Sequence, residues 1–246
     1  MTLRLMSYNV KGLQQDGRAV AEVVRAERPD VLAVQEPPRG PLGWWQLHRF
    51  ARRAGLRVVV GGRGARTTAL LAAPGLPVTH AHALPLPWQA GTVRRGVALA
   101  RVGGVVVVAV HLSLDRAERL RHLDVLDAHL VGAQRPLVLV GDLNEQPGGP
   151  TWQRLLGSGT AGGLGGAGGT AGAQAGLAGL LDAAPDGPPT YPAVDARHRI
   201  DVVLHDASLR VVAAHVRDDA LVHRASDHRP LVVDLDLNLG PRPADP

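Results

Sequence analysis

The apolar residues of this chain are gathered into short blocks, and several of those blocks stop at an acid or an amide. Val31-Leu-Ala-Val34 runs into Gln35-Glu36, Pro136-Leu-Val-Leu-Val140 runs into Gly141-Asp142-Leu143-Asn144, and Ser226-Asp227-His228 stands just before Leu231-Val-Val233. Blocks this short, bounded by polar punctuation, have the length of strands and not of helices. Strands that end in carboxylates at one edge of a sheet can gather distant residues into a single metal site. A solvated turn explains any one of these acids equally well. For all three, each beside another polar residue in apolar surroundings, a shared site is the better account.

The rest of the chain extends the pattern. Leu3–Val10, Val58–Val60, Thr67–Ala72, Val97–Arg101, Val105–His111, Ile200–Leu204, Leu209–Ala214 and Leu231–Leu237 also read as strands, with Gly103-Gly104 turning a hairpin. Helical spacing is found after Asp16 through Ala26, over Trp44–Ala54, over Asp115–Leu130 and near Trp152–Leu156. About ten strands against three or four helices is too many for simple βαβ alternation. The ratio predicts an α/β (α+β) fold, a four-layer sandwich of two packed mixed sheets flanked by helices. One domain over residues 1–240 is expected, with a flexible Gly/Ala-rich loop at 157–179 and a tail at 241–246.

Cysteine is absent, which removes disulfides, thiolate chemistry and cysteine-ligated metal centres. The longest apolar run, Val105–Val110, is too short to cross a bilayer, and Met1–Ser7 does not read as a signal peptide. A cytoplasmic monomer with no membrane span is expected. The net charge of +5 comes almost wholly from arginine, Lys11 being the single lysine. Ala, Gly, Pro and Arg are abundant together, so a G/C-rich coding bias explains the arginines as well as nucleic-acid binding does. The same bias makes asparagine rare. Asn9 and Asn144 are two of only three, and they fall in the segments that carry the acids.

Other polar residues form a second group. Arg199-Ile200-Asp201 puts an acid at a strand start, and a carboxylate there can hold one nitrogen of His228 and support its cation. His111 closes a strongly apolar strand, where it is either a core histidine or a site residue. His122 and His129, seven positions apart on one helix face near Asp124 and Asp127, read as a solvated face. Gly61-Gly-Arg-Gly64 is not completed to a dinucleotide turn, and neither a Walker motif nor a nucleophile elbow occurs. Trp44 and Trp45 are expected in the core rather than against a lipid or a base.

Taken in order, Ser7-Tyr8-Asn9, Gln35-Glu36, His111-Leu112, Gly141-Asp142-Leu143-Asn144, Arg199-Ile200-Asp201 and Ser226-Asp227-His228 resemble the endonuclease/exonuclease/phosphatase superfamily. This group includes pancreatic-type deoxyribonucleases, abasic-site endonucleases and neutral sphingomyelinases. Thr190-Tyr191-Pro192 also fits its small members, and the similarity runs from residue 3 to about 237. The resemblance implies Glu36 as the main ligand of Mg²⁺ or Mn²⁺, with Asp227 near the same ion and Asn9 in support. It implies that Asp142 orients or deprotonates the attacking water beside Asn144. It implies that His228, paired with Asp201, and His111 stabilise the phosphoryl oxygens. Thr67–Ala72 lacks the acid that some nucleases set against their first catalytic histidine, so His111 is expected to be less firmly oriented.

These readings converge on a metal-dependent phosphoesterase that hydrolyses a phosphodiester by in-line attack of water, with nucleic acid as the first substrate to test. A phosphomonoesterase, or a phosphodiesterase of the sphingomyelin type, is the alternative within the fold. A binding module that has lost the chemistry is the alternative outside it.

Overall fold

The computed structural model describes residues 1–157 and 176–237. Most of the expected Gly/Ala-rich loop, the 241–246 tail, Asn238 and the last residues assigned to the domain lie outside these bounds. Among these residues twelve strands form two six-stranded mixed sheets. In the first, the spatial order is β11 (Arg210–Val216), β12 (Leu231–Asp236), β1 (Thr2–Asn9), β2 (Val31–Gln35), β4 (Thr68–Ala72) and β3 (Arg57–Val60). In the second it is β5 (Val78–Pro85), β6 (Gly96–Val102), β7 (Val105–His111), β8 (Leu137–Asp142), β10 (Asp201–His205) and β9 (Leu181–Asp182). Each sheet has one parallel pair at its centre, β1–β2 and β7–β8, and every other pairing is antiparallel. The helices are α1 (Gly17–Glu27), α2 (Gly43–Ala54), α3 (Arg116–Leu130), α4 (Pro150–Leu156) and α5 (Ala220–Ala225). None of the helices described is long and apolar enough to cross a membrane.

The layers follow from side-chain alternation along each strand. Leu3 and Leu5 of β1, Ala33 of β2, Leu70 of β4, Val107 and Ala109 of β7, and Val138 and Val140 of β8 meet in one core between the sheets. The intervening residues face outward. Met6, Tyr8, Leu32 and Leu71 pack under α1, α2 and α5, through Val20 and Val24, Leu47 and Phe50, and Val222. Val108, Val110, Leu139 and Val202 pack under α3 and α4, through Leu123 and Leu126, and Trp152. The result is the four-layer sandwich expected from the sequence.

Local chemistry sets the helix ends. The Asp16 carboxylate accepts from Arg18 N and Ala19 N at the start of α1, and Asp115 accepts from Glu118 N at the start of α3. Gly55 ends α2 in the left-handed region. Three elements are absent from the sequence reading: β5, β9 and α5. β5 is an edge strand with mostly exposed side chains and a register shift between Thr79 and His82, so it lacks the apolar alternation that marks a strand. Two other expectations fail. Trp44 and Trp45 are 53% and 52% exposed, because α2 buries the face carrying Leu47, Phe50, Ala51 and Ala54. His122 is fully buried, with Nε2 at 3.1 Å from the Pro87 carbonyl.

Two devices bring the ends of β7 and β8 together. Gly141 has φ +146°, and a Cβ there would lie 1.9 Å from the Val110 carbonyl oxygen, so no other residue lets the two strands approach. Beyond the strands, Arg119 of α3 donates to the Ser113 and Leu114 carbonyls and pairs with Glu145 at 2.8 Å, with both side chains largely buried. Glu145 also accepts from Thr151 N, and its own carbonyl accepts from the Trp152 indole. One ion pair therefore ties the loop after β7 to the loop after β8. Replacing Glu145 with Gln should lower unfolding free energy by about 3 kcal/mol, because Arg119 is left buried without its counter-charge. Urea denaturation of the variant against wild type measures this.

Candidate active site

The alternation that buries valines between the sheets also places the polar strand ends there. On β1 the inward positions are Leu3, Leu5, Ser7 and Asn9, and on β7 they end in His111. Gln35 ends β2, Asp142 ends β8 and Asp201 opens β10. In the ladders Asn9 faces Gln35, His111 faces Asp142, and Asp142 faces Asp201. Buried polar residues from six separated segments thus meet at one end of the space between the sheets, the sixth being Ser226–His228.

Asp142 is the centre of the hydrogen bonding. Its Oδ1 accepts from Asn144 N at 2.8 Å, and its Oδ2 accepts from Asn9 Nδ2 at 3.3 Å. His111 Nε2 lies 3.6 Å from the same Oδ2. Asn144 donates through Nδ2 to the Leu112 carbonyl at 2.9 Å. Asn9 is held in turn, with Lys11 N donating to its Oδ1 and Ser226 Oγ donating to its carbonyl at 2.7 Å. Alongside, His228 Nδ1 is 2.9 Å from Asp201 Oδ2. His228 Nε2 has no hydrogen-bond partner among the described residues. The Tyr191 ring packs against the His228 imidazole at 4.8 Å between centroids. Asp142, Asp201 and His228 are all buried, and their ligand atoms lie within 4.8 Å of one another.

Burial and neighbouring charge divide the protonation states. Burial, together with the charge of Asp201, pushes the Asp142 carboxyl up to about 7. Burial also opposes a charged His228, but the Asp201 carboxylate outweighs it and raises the imidazole to about 9. His111 goes the other way. Burial, with Arg95 and His228 nearby, holds it well below the usual histidine range, and it is neutral. Its Nδ1 meets no acidic side chain, and the Thr67 backbone is the neighbour that favours its proton.

Glu36 and Asp227 lie outside the close group of three. Glu36 has φ +51° and is fixed by Glu36 N donating to Thr67 O and Gly12 N donating to Glu36 O. A non-glycine residue in that region costs about 1 kcal/mol or more. Its carboxylate makes no hydrogen bond or ion pair among the described residues, and it opens on a cavity of about 510 Å³. Asp227 Oδ2 pairs with Lys11 Nζ at 2.8 Å, and the hydrogen bond to Asp227, with Glu36 also nearby, raises the lysine pKa. Glu36 and Asp227 both act on Lys11, and a carboxylate without a partner is an oxygen donor a hard divalent cation can take, so the residues present fit such an ion. Lys11, Arg95 and Tyr191 join the site without having been selected as site residues from the sequence. Arg95 is buried and its charge acts on Glu36 and Asp142. A lone lysine, and an arginine among many, carry no pattern; only the fold brings them here.

The model of the endonuclease/exonuclease/phosphatase family matches residues 6–228. The chain belongs to that family. Its members are phosphoester hydrolases, typically dependent on a divalent metal. No curated protein matches the chain in sequence. Among solved structures, an endonuclease/exonuclease/phosphatase from Beutenbergia cavernae is similar at 25% identity and TM-score 0.63, over 95% of this chain and 71% of that one. The mannosyl-6-phosphatase Bt3783 of Bacteroides thetaiotaomicron is similar at 16% identity and TM-score 0.71, over 95% and 99%. ANGEL2, a 2',3'-cyclic phosphatase, is similar at 15% identity and TM-score 0.67, over 96% and 95%.

Both raised pKa values bear on stability in the same direction. A group that binds its proton more tightly when folded stabilises the protein below its unfolded pKa, and that contribution is lost as pH rises through the folded value. For Asp142 the loss spans 3.8 to about 7, and for His228 it spans 6.5 to about 9. Without divalent ions, Asp142→Asn should therefore gain on wild type by a few kcal/mol as pH rises from about 4 to 8. Thermal melts of both proteins across that range, with EDTA present, give the answer.

Proposed function

We propose that this protein is a phosphodiesterase that uses Mg²⁺ or Mn²⁺ and acts on nucleic acid. One observation supports this above the others: a buried carboxylate with a pKa near neutrality stands between two amide donors and a neutral histidine, beside an Asp–His⁺ pair and a free Glu carboxylate. A general base works best when its pKa lies near the operating pH.

In this reading Glu36 holds the cation with Asp227 beside it. When bound, the cation polarises the phosphoryl group and offsets its charge. Asn9 and Asn144 fix the Asp142 carboxylate, which takes the proton of the attacking water on Oδ2, in line with the leaving oxygen. His228 is a cation at neutral pH, held through Nδ1 by Asp201, and donates from Nε2 to a phosphoryl oxygen. Neutral His111, protonated on Nε2, offers a second donor. The cytoplasmic setting and the monomer expected from the sequence belong to this reading too.

A phosphomonoesterase is the second reading. Its support is the similarity in fold to the mannosyl-6-phosphatase. A panel of supercoiled plasmid, single-stranded DNA and RNA, sphingomyelin and sugar phosphates separates the two, and hydrolysis of monoesters alone would overturn the diester reading. Asp142→Asn and His228→Ala should each lower kcat by about 10³-fold with circular dichroism unchanged. Near-normal turnover in both would refute the roles assigned. Glu36→Gln should raise the Mg²⁺ concentration for half-maximal activity more than about tenfold, since losing even a group behind the ligands costs that much.

A further inference from the structure

Three cavities share walls in a row. The middle one holds Glu36, Arg39 and Gln46. It shares Pro37, Pro38 and Arg39 with a cavity of about 840 Å³, lined also by Trp44, Arg63 and Arg66. On the other side it shares Gly12, Leu13 and Gln46 with a cavity of about 390 Å³, lined also by Trp45, Arg18, Arg49 and Arg53. The two half-exposed tryptophans of α2 therefore point to opposite arms of one groove, with the free carboxylate of Glu36 between them. Each arm carries three arginines besides the shared wall or on it, and none of the six has a carboxylate within 4.0 Å among the described residues. Arg49 stands over the Trp45 ring at 5.2 Å. The single other acid in the lining is Asp16, which caps α1 and pairs with Arg224 at 3.2 Å.

We infer that this groove binds a single-stranded nucleic acid whose backbone crosses Glu36, with bases on either side of the crossing stacked against Trp44 and Trp45. The inference rests on the phosphodiesterase reading and adds where the strand lies. Its basis is the combination of cationic side chains that track a backbone with aromatic faces that accept any base. A coding bias accounts for the number of arginines but not for their lying along one groove with two exposed indoles. A duplex is a poor occupant, since its bases are stacked on each other and cannot reach the two indoles. A membrane surface is a poor occupant as well, because the indoles line separate concave arms and do not form one insertable face.

The test uses the full chain silenced by Asp142→Asn, without divalent ion, and a labelled oligothymidylate of about twelve nucleotides. Fluorescence anisotropy should show binding accompanied by quenching of tryptophan emission. Trp44→Ala combined with Trp45→Ala should weaken it by about tenfold or more, the loss of stacking on two bases. Arg39→Ala with Arg63→Ala should lower the slope of log affinity against log salt by about 0.7 per lost phosphate contact. A melting temperature close to that of the parent shows that each variant is folded. Equal affinity in the tryptophan pair, an unchanged salt slope in the arginine pair, or binding to phosphatidylserine vesicles with none to the oligonucleotide would each overturn the inference. Wild-type turnover of bis(p-nitrophenyl) phosphate with Mg²⁺ tests the chemistry separately. Turnover without oligonucleotide binding removes the groove and keeps the phosphodiesterase; binding without turnover does the reverse.

Discussion

The structure turns on two carboxylates that face each other across an antiparallel ladder inside the protein. Asp142 and Asp201 are register partners, and both are buried between the sheets. Two like charges so placed cannot both be ionised without a cation close by. His228 supplies one, bound to Asp201, and burial together with the unrelieved part of the repulsion raises the pKa of Asp142. The amides of Asn9 and Asn144, the close approach permitted by Gly141 and the strap between Arg119 and Glu145 all serve to keep that pair in place. Such an arrangement costs stability in the folded protein. It gives in exchange a carboxyl that can take a proton near neutrality.

Much of this was legible in the chain. Ten of the twelve strands and four of the five helices among the described residues coincide with segments read from the sequence, and the acid-terminated blocks mark the end of the sheets at which the site forms. Five of the six segments that carried the family resemblance lie at strand ends that the ladders bring together, and Ser226–His228 joins them from outside the strands. What could not be read has physical causes. β5 is exposed at an edge and irregular, so it carries no alternation to detect. His122 lies on a helix among charged neighbours, and only the approach of Pro87 from another segment makes it a core residue. Trp44 fits the apolar spacing of α2 as well as Phe50 does; which of them is buried depends on how the helix is rotated against β2 and β4, a tertiary fact.

The division of roles among the acids is sharper for having the geometry. Asp227 shares its carboxylate with Lys11, Asp201 gives one oxygen to His228, and Asp142 is enclosed by donors. Only Glu36 has no partner, and it alone of the four is held in a left-handed backbone conformation. Type and spacing in the sequence cannot separate these four, because all are acids at the end or start of an apolar block.

The two sheets also have the same plan. Each is an antiparallel hairpin, a parallel pair joined through a helix, and a further antiparallel pair, so β1, β2 and β4 correspond in position to β7, β8 and β10. Asn9, Gln35 and Thr68 then stand where His111, Asp142 and Asp201 stand in the other half. The molecule is two near-equivalent halves set face to face, one ending in groups that titrate and the other in groups that do not. A cleft built this way keeps the ionisable strand ends on one wall, while the charged groups of the other wall, Lys11, Glu36, Asp227 and His228, all come from the segments just beyond its strands.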